Sequence, residues 1–261
     1  MERPTIRLYS VFHKQTPVPV ASYVQPIQVG AALAKESLPM LQDNSGDNIS
    51  ALNPNFSELT ALYWLWKNAD RTGIDAWGLC HYRRYFTVDV RKLLFIKKSR
   101  VYYSLQQGPI DAVVNDRLYQ TMQNLLQSHD VLLQRPVYAH KKDGKTFTIE
   151  EAYAKAHDAR DWQITLDIIR SKYPEYTSSI DSFNKKVKMS YYNMMVARWE
   201  LWDDYLAWLF DILFEVQKRV AISADPYQAR IFGFLSERLL NLFVHHRQLR
   251  TAYLTTALFE K

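Results

Sequence analysis

Apolar and polar positions along this chain follow two different periods. Residues 5–12, TIRLYSVF, are β-branched and aromatic and predict a strand. The stretch 15–33, QTPVPVASYVQPIQVGAAL, is apolar but rich in proline and reads as an ordered loop. Residues 42–54 are polar and turn-rich. Helical spacing then places Leu59, Leu62, Tyr63 and Trp66 on one face. Asn55 and Glu58 have capping-box spacing for a helix starting near Asn55. Residues 74–80, IDAWGLC, are nearly all apolar, as in a strand buried on both faces. Further on, 116–128 predicts a helix, and 129–134 predicts a buried strand stopped by Pro136. Residues 139–148 read as a mobile basic loop with Lys141, Lys142 and Lys145 around Gly144. A helix from about Thr148 would carry Tyr153, His157 and Asp161 on one face at intervals of four. KMSYYNMMV at 188–196 predicts a strand containing Asn193. Two long helices follow at about 198–219 and 227–245, the second capped by Asp225 with Pro226 at its first position.

Strands alternating with helices imply an α/β domain with a mixed sheet and a helical C-terminal part. With 261 residues and 48% hydrophobic content, the chain suits one large domain with a sizeable core. The single cysteine, Cys80, excludes an internal disulfide and a CxxC zinc site. No run of about 18 apolar residues exists. The longest candidate, YLAWLFDILFEV, is interrupted by Asp211 and Glu215. MERPTIRLYS has no apolar leader core, so a cytoplasmic protein is expected.

A net charge of +6 fits an anionic partner: nucleic acid, a phosphorylated small molecule or an acidic membrane surface. Seventeen tyrosines and seven tryptophans provide amphipathic rings for sugar or base sites, or for core and interface packing. Neither a P-loop nor GxGxxG occurs, which argues against ATPase and dinucleotide chemistry.

Candidate chemistry collects just past strand ends, where open α/β sheets bind ligands. His13 and Lys14 follow the first strand. His81, Arg83 and Arg84 follow the second apolar run, in GLCHYRRYF at 78–86. Adjacent arginines suit a diphosphate, because guanidinium is always charged and binds phosphate oxygens bidentately. The alternative is an arginine pair bonding to carboxylates or a helix C-terminus. His157 and Asp161, one turn apart, form either a surface pair or an assisted general base. Cys80 and His81 are neighbours on a strand, so they point to opposite faces and make no nucleophile–base pair. Glu237 and Arg238 stand among apolar residues, either as a fold anchor or with Arg238 against a ligand.

Several stretches together resemble a family. NPNFSELTALYWLWKN, GLCHYRRYF, HDARDW, YYNMMVARWELWDDYLAWLFDILFE and YQARIFGFLSERLL are similar to a bacterial family of capsular and exopolysaccharide gene clusters, formerly catalogued as a domain of unknown function. Its members are assigned as galactofuranosyltransferases. The resemblance runs from the first strand to about Leu240 and carries Glu58, Tyr63, Trp64, His81, Tyr82, Arg83, Arg84, Tyr85, His157, Asp161, Asn193, Met194, Gly233, Glu237 and Arg238. Ser190, Tyr191 and Tyr192 stand where the family pattern has a proline nearby.

The resemblance implies a GT-A-like fold, with a donor-binding half at about 1–135 and an acceptor-side half at about 136–261. It also implies sugar transfer from a nucleotide diphosphate donor, best matched by UDP-galactofuranose, to a growing surface glycan. The acceptor would be lipid-linked at the inner membrane face, with peripheral membrane contact. No two acidic residues are separated by one position, so the Asp-x-Asp metal motif is absent. No divalent metal or other cofactor is therefore expected, and the transfer is expected to be inverting. His13, Lys14, His81, Arg83, Arg84 and Arg238 would hold the diphosphate. Glu58, Tyr82, Tyr85, Tyr153 and Asn193 would bind substrate, with Trp64 either stacking on a ring or packing in the core. Asp161, supported by His157, would be the base. A nucleic-acid-binding module is the alternative, but the basic residues are scattered and no RNP, KH or zinc pattern appears. A non-catalytic scaffold of a polysaccharide assembly complex is the other.

Overall fold

The first apolar stretch folds as expected into strand β1 (Ile6–Phe12). The computed structural model describes residues 3–88, 92–93, 96–97, 99–139, 141 and 144–260, with 92–93 and 96–97 described by backbone alone. Beyond β1 come β2 (Val24–Gln28), β3 (Leu41–Gln42), α1 (Asn53–Phe56), α2 (Leu59–Asn68), β4 (Ala76–His81) and β5 (Arg84–Thr87). The middle of the chain holds β6 (Lys92–Leu93), β7 (Ile96–Lys97), β8 (Arg100–Ser104), α3 (Gln107–Val113), α4 (Asp116–Leu125), β9 (Val131–Gln134) and β10 (Val137–Tyr138). The remainder holds α5 (Ile149–Ala156), α6 (Ala159–Lys172), α7 (Thr177–Asn184), β11 (Lys188–Met189), β12 (Met195–Arg198), α8 (Trp199–Gln217), α9 (Ile231–His246) and β13 (Thr251–Glu260).

Among the described residues nine strands join one mixed sheet. β3, β2, β1 and β4 run parallel side by side. β12 pairs antiparallel with both β4 and β9. β13 continues beyond β9, parallel to it and to β8 and antiparallel to β5. Gly78 lets β4 and β12 approach, because a Cβ there would stand 2.6 Å from Val196 Cγ2 and 2.8 Å from the Met195 carbonyl.

Alternation along β1 and β4 sends side chains to two apolar layers. Tyr9, Val11, Trp77 and Leu79 pack with α2, α6, α8 and α9. Ile6, Leu8, Ala76 and Cys80 pack with α3 and α4. Trp77 stacks on Trp202 at 4.0 Å between ring centres, and Trp202 Nε1 donates to the Trp77 carbonyl. Helices on both faces explain why IDAWGLC is continuously apolar. Among the described residues no helix is long and apolar enough to cross a membrane.

The structure corrects several sequence expectations. The proline-rich loop contains β2. Pro26 is accommodated because β3 pairs only with Ile27 and Gln28, which leaves the β2 edge unpaired at Pro26. The C-terminal part is not wholly helical, since β13 enters the middle of the sheet. The helix expected from Asn55 is broken at Ser57, whose φ is +52°. No capping box forms there. Asn55 Nδ2 instead donates to the Ala229 carbonyl, and Glu58 accepts from Asn193. The helix expected from Thr148 stops at Ala156. His157 is extended, and Asp158 caps a new helix. His157 and Asp161 therefore do not share one continuous helical face. The strand expected at 188–196 is two strands, β11 and β12, separated by Tyr192 (φ +72°) and Asn193 (φ +53°). Asp225 caps a short 3-10 turn through the amides of Tyr227 and Gln228, and α9 begins later at Ile231. Of the expected basic loop, Lys141 pairs with Glu151, while Lys142 lies outside the described residues.

Candidate functional site

β1 and β4 end side by side, and a cavity of about 850 Å³ opens beyond them. His13 and His81 enter it from those strand ends, as the parallel-strand rule predicts. Tyr82 and Arg83 form the tight turn between β4 and β5, and Arg84 is the first residue of β5, opposite His81. Strand alternation then turns Tyr85 to the other side. It is fully buried, bonds Ser10 Oγ at 2.9 Å and packs edge-on against Phe259. Tyr85 is thus a core residue and does not reach the cavity.

Four guanidiniums line the space: Arg83, Arg84, Arg230 and Arg238. Arg84 lies 4.6 Å over the Tyr192 ring. Arg83 is exposed and lies 5.6 Å from the centre of Tyr82. Arg230 Nε donates to Ser57 Oγ at 3.0 Å. Among the described residues none of these three forms an ion pair. Arg238 differs, being 4% exposed. Its Nη1 donates to the Phe234 carbonyl and to Glu237 Oε2, while its Nε has no partner. Two carboxylates, Glu58 and Glu237, face these four cations. Burial pushes the Glu237 carboxyl up, against the opposing pull of Arg238 and of the Tyr192 amide that donates to Oε1.

Glu58 is held from behind. Asn193 Nδ2 donates to Glu58 Oε1 at 2.8 Å, and the left-handed backbone at Asn193 allows that reach. The same turn places the Tyr192 carbonyl where His81 Nε2 donates to it at 2.6 Å. A carbonyl only accepts, so Nε2 carries the proton. Burial lowers the His81 pKa and Arg84 lowers it further, against the opposing pull of Glu58. His157 Nδ1 donates to Gln228 Oε1 at 2.9 Å, and its ring stacks on Phe234 at 4.0 Å.

His13, Glu58, His81, Tyr82, Arg83, Arg84, His157 and Arg238 thus meet at one cavity. Other expected residues lie elsewhere. Lys14 stands beside Tyr82, 5.5 Å from its ring, off the cavity wall. Tyr153 is buried beneath Arg238, 5.0 Å from it, and Asn193 stands behind Glu58. Trp64 is buried in the core, with Nε1 donating to the Ser45 carbonyl and hydroxyl. Asp161 is not among the lining residues. It sits in the first turn of α6, where burial and Asp158 raise its pKa to about 6. Sequence reasoning missed Arg230, Tyr191, Tyr192 and Ser57. One signal existed for Arg230, because a cation just before a helix opposes the helix dipole and needs a reason to be there.

The histidine environment predicts a pH response. Burial holds the His81 pKa in the fold below its ordinary value, whereas an unfolded chain protonates the ring below about 6.5. Stability contributed by the neutral ring is present above that pH and is lost as pH falls through it. Melting temperature should therefore drop between about pH 7.5 and about pH 5.5. His81→Gln, which keeps an Nε2 donor, should show a shallower drop. Asp161, with its raised pKa, opposes this trend at lower pH in both proteins. Equal slopes in wild type and variant would clear His81 of the effect.

Residues 7–248 match the family described as a domain of unknown function, DUF4422. The chain belongs to that family. No curated protein matches it. Among solved structures it is similar to the apo form of WbbM, a bifunctional glycosyltransferase, at 27% identity and a TM-score of 0.87. The similarity covers 98% of this chain and 46% of the WbbM chain, so this DUF4422 protein spans less than half the length of that enzyme. Its mixed α/β fold is similar to that of a glycosyltransferase and consistent with a GT-A-like architecture.

Proposed function

We propose that this DUF4422 protein transfers a sugar from a nucleoside diphosphate donor to a hydroxyl of a growing surface polysaccharide. One observation carries the reading: four guanidiniums converge on the strand-end cavity, and three of them have no carboxylate partner among the described residues. A volume of about 850 Å³ suits a nucleotide sugar. Likeness to WbbM supports glycosyl transfer. The donor we favour is UDP-galactofuranose, and the acceptor a lipid-linked glycan at the inner face of the cell membrane.

In this reading the diphosphate lies against Arg83, Arg84 and Arg230, and Tyr82 and Tyr192 flank it. The acceptor oxygen attacks the anomeric carbon on the face opposite the leaving group, which inverts the centre. The bond from that carbon to the β-phosphate oxygen breaks, and its electron pair goes to the phosphate. The guanidiniums stabilise the charge that develops there. The acceptor proton goes to a carboxylate. We assign this role to Glu58 rather than Asp161, because Glu58 lines the cavity and Asp161 does not. Glu237 is a poorer base, since its two oxygens are held by Arg238 and the Tyr192 amide.

A panel of UDP- and GDP-sugars, including the furanose form of UDP-galactose, tests the reading. One donor should release its nucleotide, and UDP should raise the melting temperature. Activity should survive EDTA. The reading fails if no donor turns over and UDP leaves the melt unmoved. Loss of activity in EDTA with recovery in manganese would overturn the metal-free part alone.

A further inference from the structure

A second cavity, of about 790 Å³, opens between α7, β11 and the C-terminal end of α9. The first cavity reaches α9 at Glu237, and the second reaches it one turn later at Asn241. Asn241 grips Ser190 in both directions, accepting from its amide and donating to its carbonyl. The neighbouring Tyr191 and Tyr192 line the first cavity. One short segment thus separates the two spaces.

The second cavity is one-sided in charge. Lys185, Lys186 and Lys188 line it, and no Asp or Glu does. Among the described residues none of the three lysines forms an ion pair. Their backbones are fixed. The Lys186 carbonyl accepts from Ile149, and Lys188 pairs with Tyr138 across β10 and β11. Hydroxyl and imidazole groups stand beside them. Ser182 Oγ donates to the Ser179 carbonyl and accepts from His245 Nε2 at 2.8 Å. Apolar Leu133, Val244 and Leu249 also line the space. Three like charges within four residues repel one another, and no carboxylate lines the cavity to relieve them. A phosphoryl group would, with the serines as further hydrogen-bond partners.

We propose that this cavity binds a phosphate or diphosphate ester, separate from the anion site of the first cavity. The apolar wall fits an ester with an organic portion rather than a bare ion. The site stands or falls independently of the function read for the first cavity.

Calorimetry with inorganic pyrophosphate tests it on three proteins: wild type, the triple variant Lys185→Gln/Lys186→Gln/Lys188→Gln, and Arg83→Gln/Arg84→Gln. The lysines are exposed, so the triple variant should melt as wild type does. It should lose one binding event, with affinity falling about tenfold or more. The arginine variant should retain that event. Sedimentation with phosphatidylcholine vesicles, with and without phosphatidylglycerol, identifies the source. Lysine-dependent binding to the anionic vesicles assigns the phosphate to a lipid headgroup. Pyrophosphate binding without vesicle binding assigns it to a soluble ester. Lysine variants that bind pyrophosphate and vesicles as wild type does would overturn the proposal. So would loss of all pyrophosphate binding in the arginine variant.

Discussion

Arg84→Ala should slow nucleotide release by about a hundredfold or more, while the melting temperature stays close to that of wild type. The magnitude is that of removing one preorganised donor from a developing anion, about 2.7–4 kcal/mol. Arg84 is suited to so large an effect. It is half-buried, stacked on Tyr192 and without an ion pair among the described residues, so its charge is poorly screened by water. Burial lowers its pKa, yet a guanidinium stays charged at neutral pH. Arg83 is exposed at the turn, so Arg83→Ala should act in the same direction with competing solvation. Arg84→Lys restores the charge but not the bidentate fork, and should rescue only partly. Single-turnover assays with a fixed donor give the rates. Full turnover in Arg84→Ala would remove the diphosphate from this end of the cavity.

Glu58→Gln should lower kcat by about 10²–10⁴, the usual worth of general base catalysis. KM should change little. Glutamine keeps an Oε1 that accepts from Asn193, so the turn behind it survives the substitution. Asp161→Asn provides the decisive contrast. If Glu58 is the base, Asp161→Asn retains most of its activity. If the losses fall the other way, Asp161 is the base and the cavity must rearrange to reach it.

Much of the framework was legible because it rests on local periodicity. IDAWGLC read as a doubly buried strand, and β4 is one. The helices at 116–128 and 198–219 appear as α4 and α8. GLCHYRRYF marked a strand end carrying cations, because cations follow an apolar strand, and the structure puts Arg83 and Arg84 on the cavity wall. Errors came where a local rule met a stronger distant partner. Asn55 and Glu58 have the spacing of a cap, but Ala229 and Asn193 take them. Tyr153, His157 and Asp161 have helical spacing, but the chain turns at His157, whose ring stacks on Phe234 and whose Nδ1 bonds Gln228. β13 was missed because TAYLTTALFE follows a long helical pattern and lacks strict alternation. Its pairing with β9, β5 and β8 makes it a strand.

By itself, then, the sequence determined the alternation of strands and helices, the sidedness of the strands and the cluster of cations at one strand end. These follow from side-chain size, charge and spacing, which act over a few residues. Tertiary structure decided where the elements break. Ser57, His157, Tyr192 and Arg230 each stand at an interruption of an expected element, and all four line the same cavity. Left-handed backbone at Ser57, Tyr192 and Asn193 costs energy locally, and contacts from remote segments hold it in place. Those contacts join residues far apart in the chain, so no window of sequence contains both the strain and what compensates it.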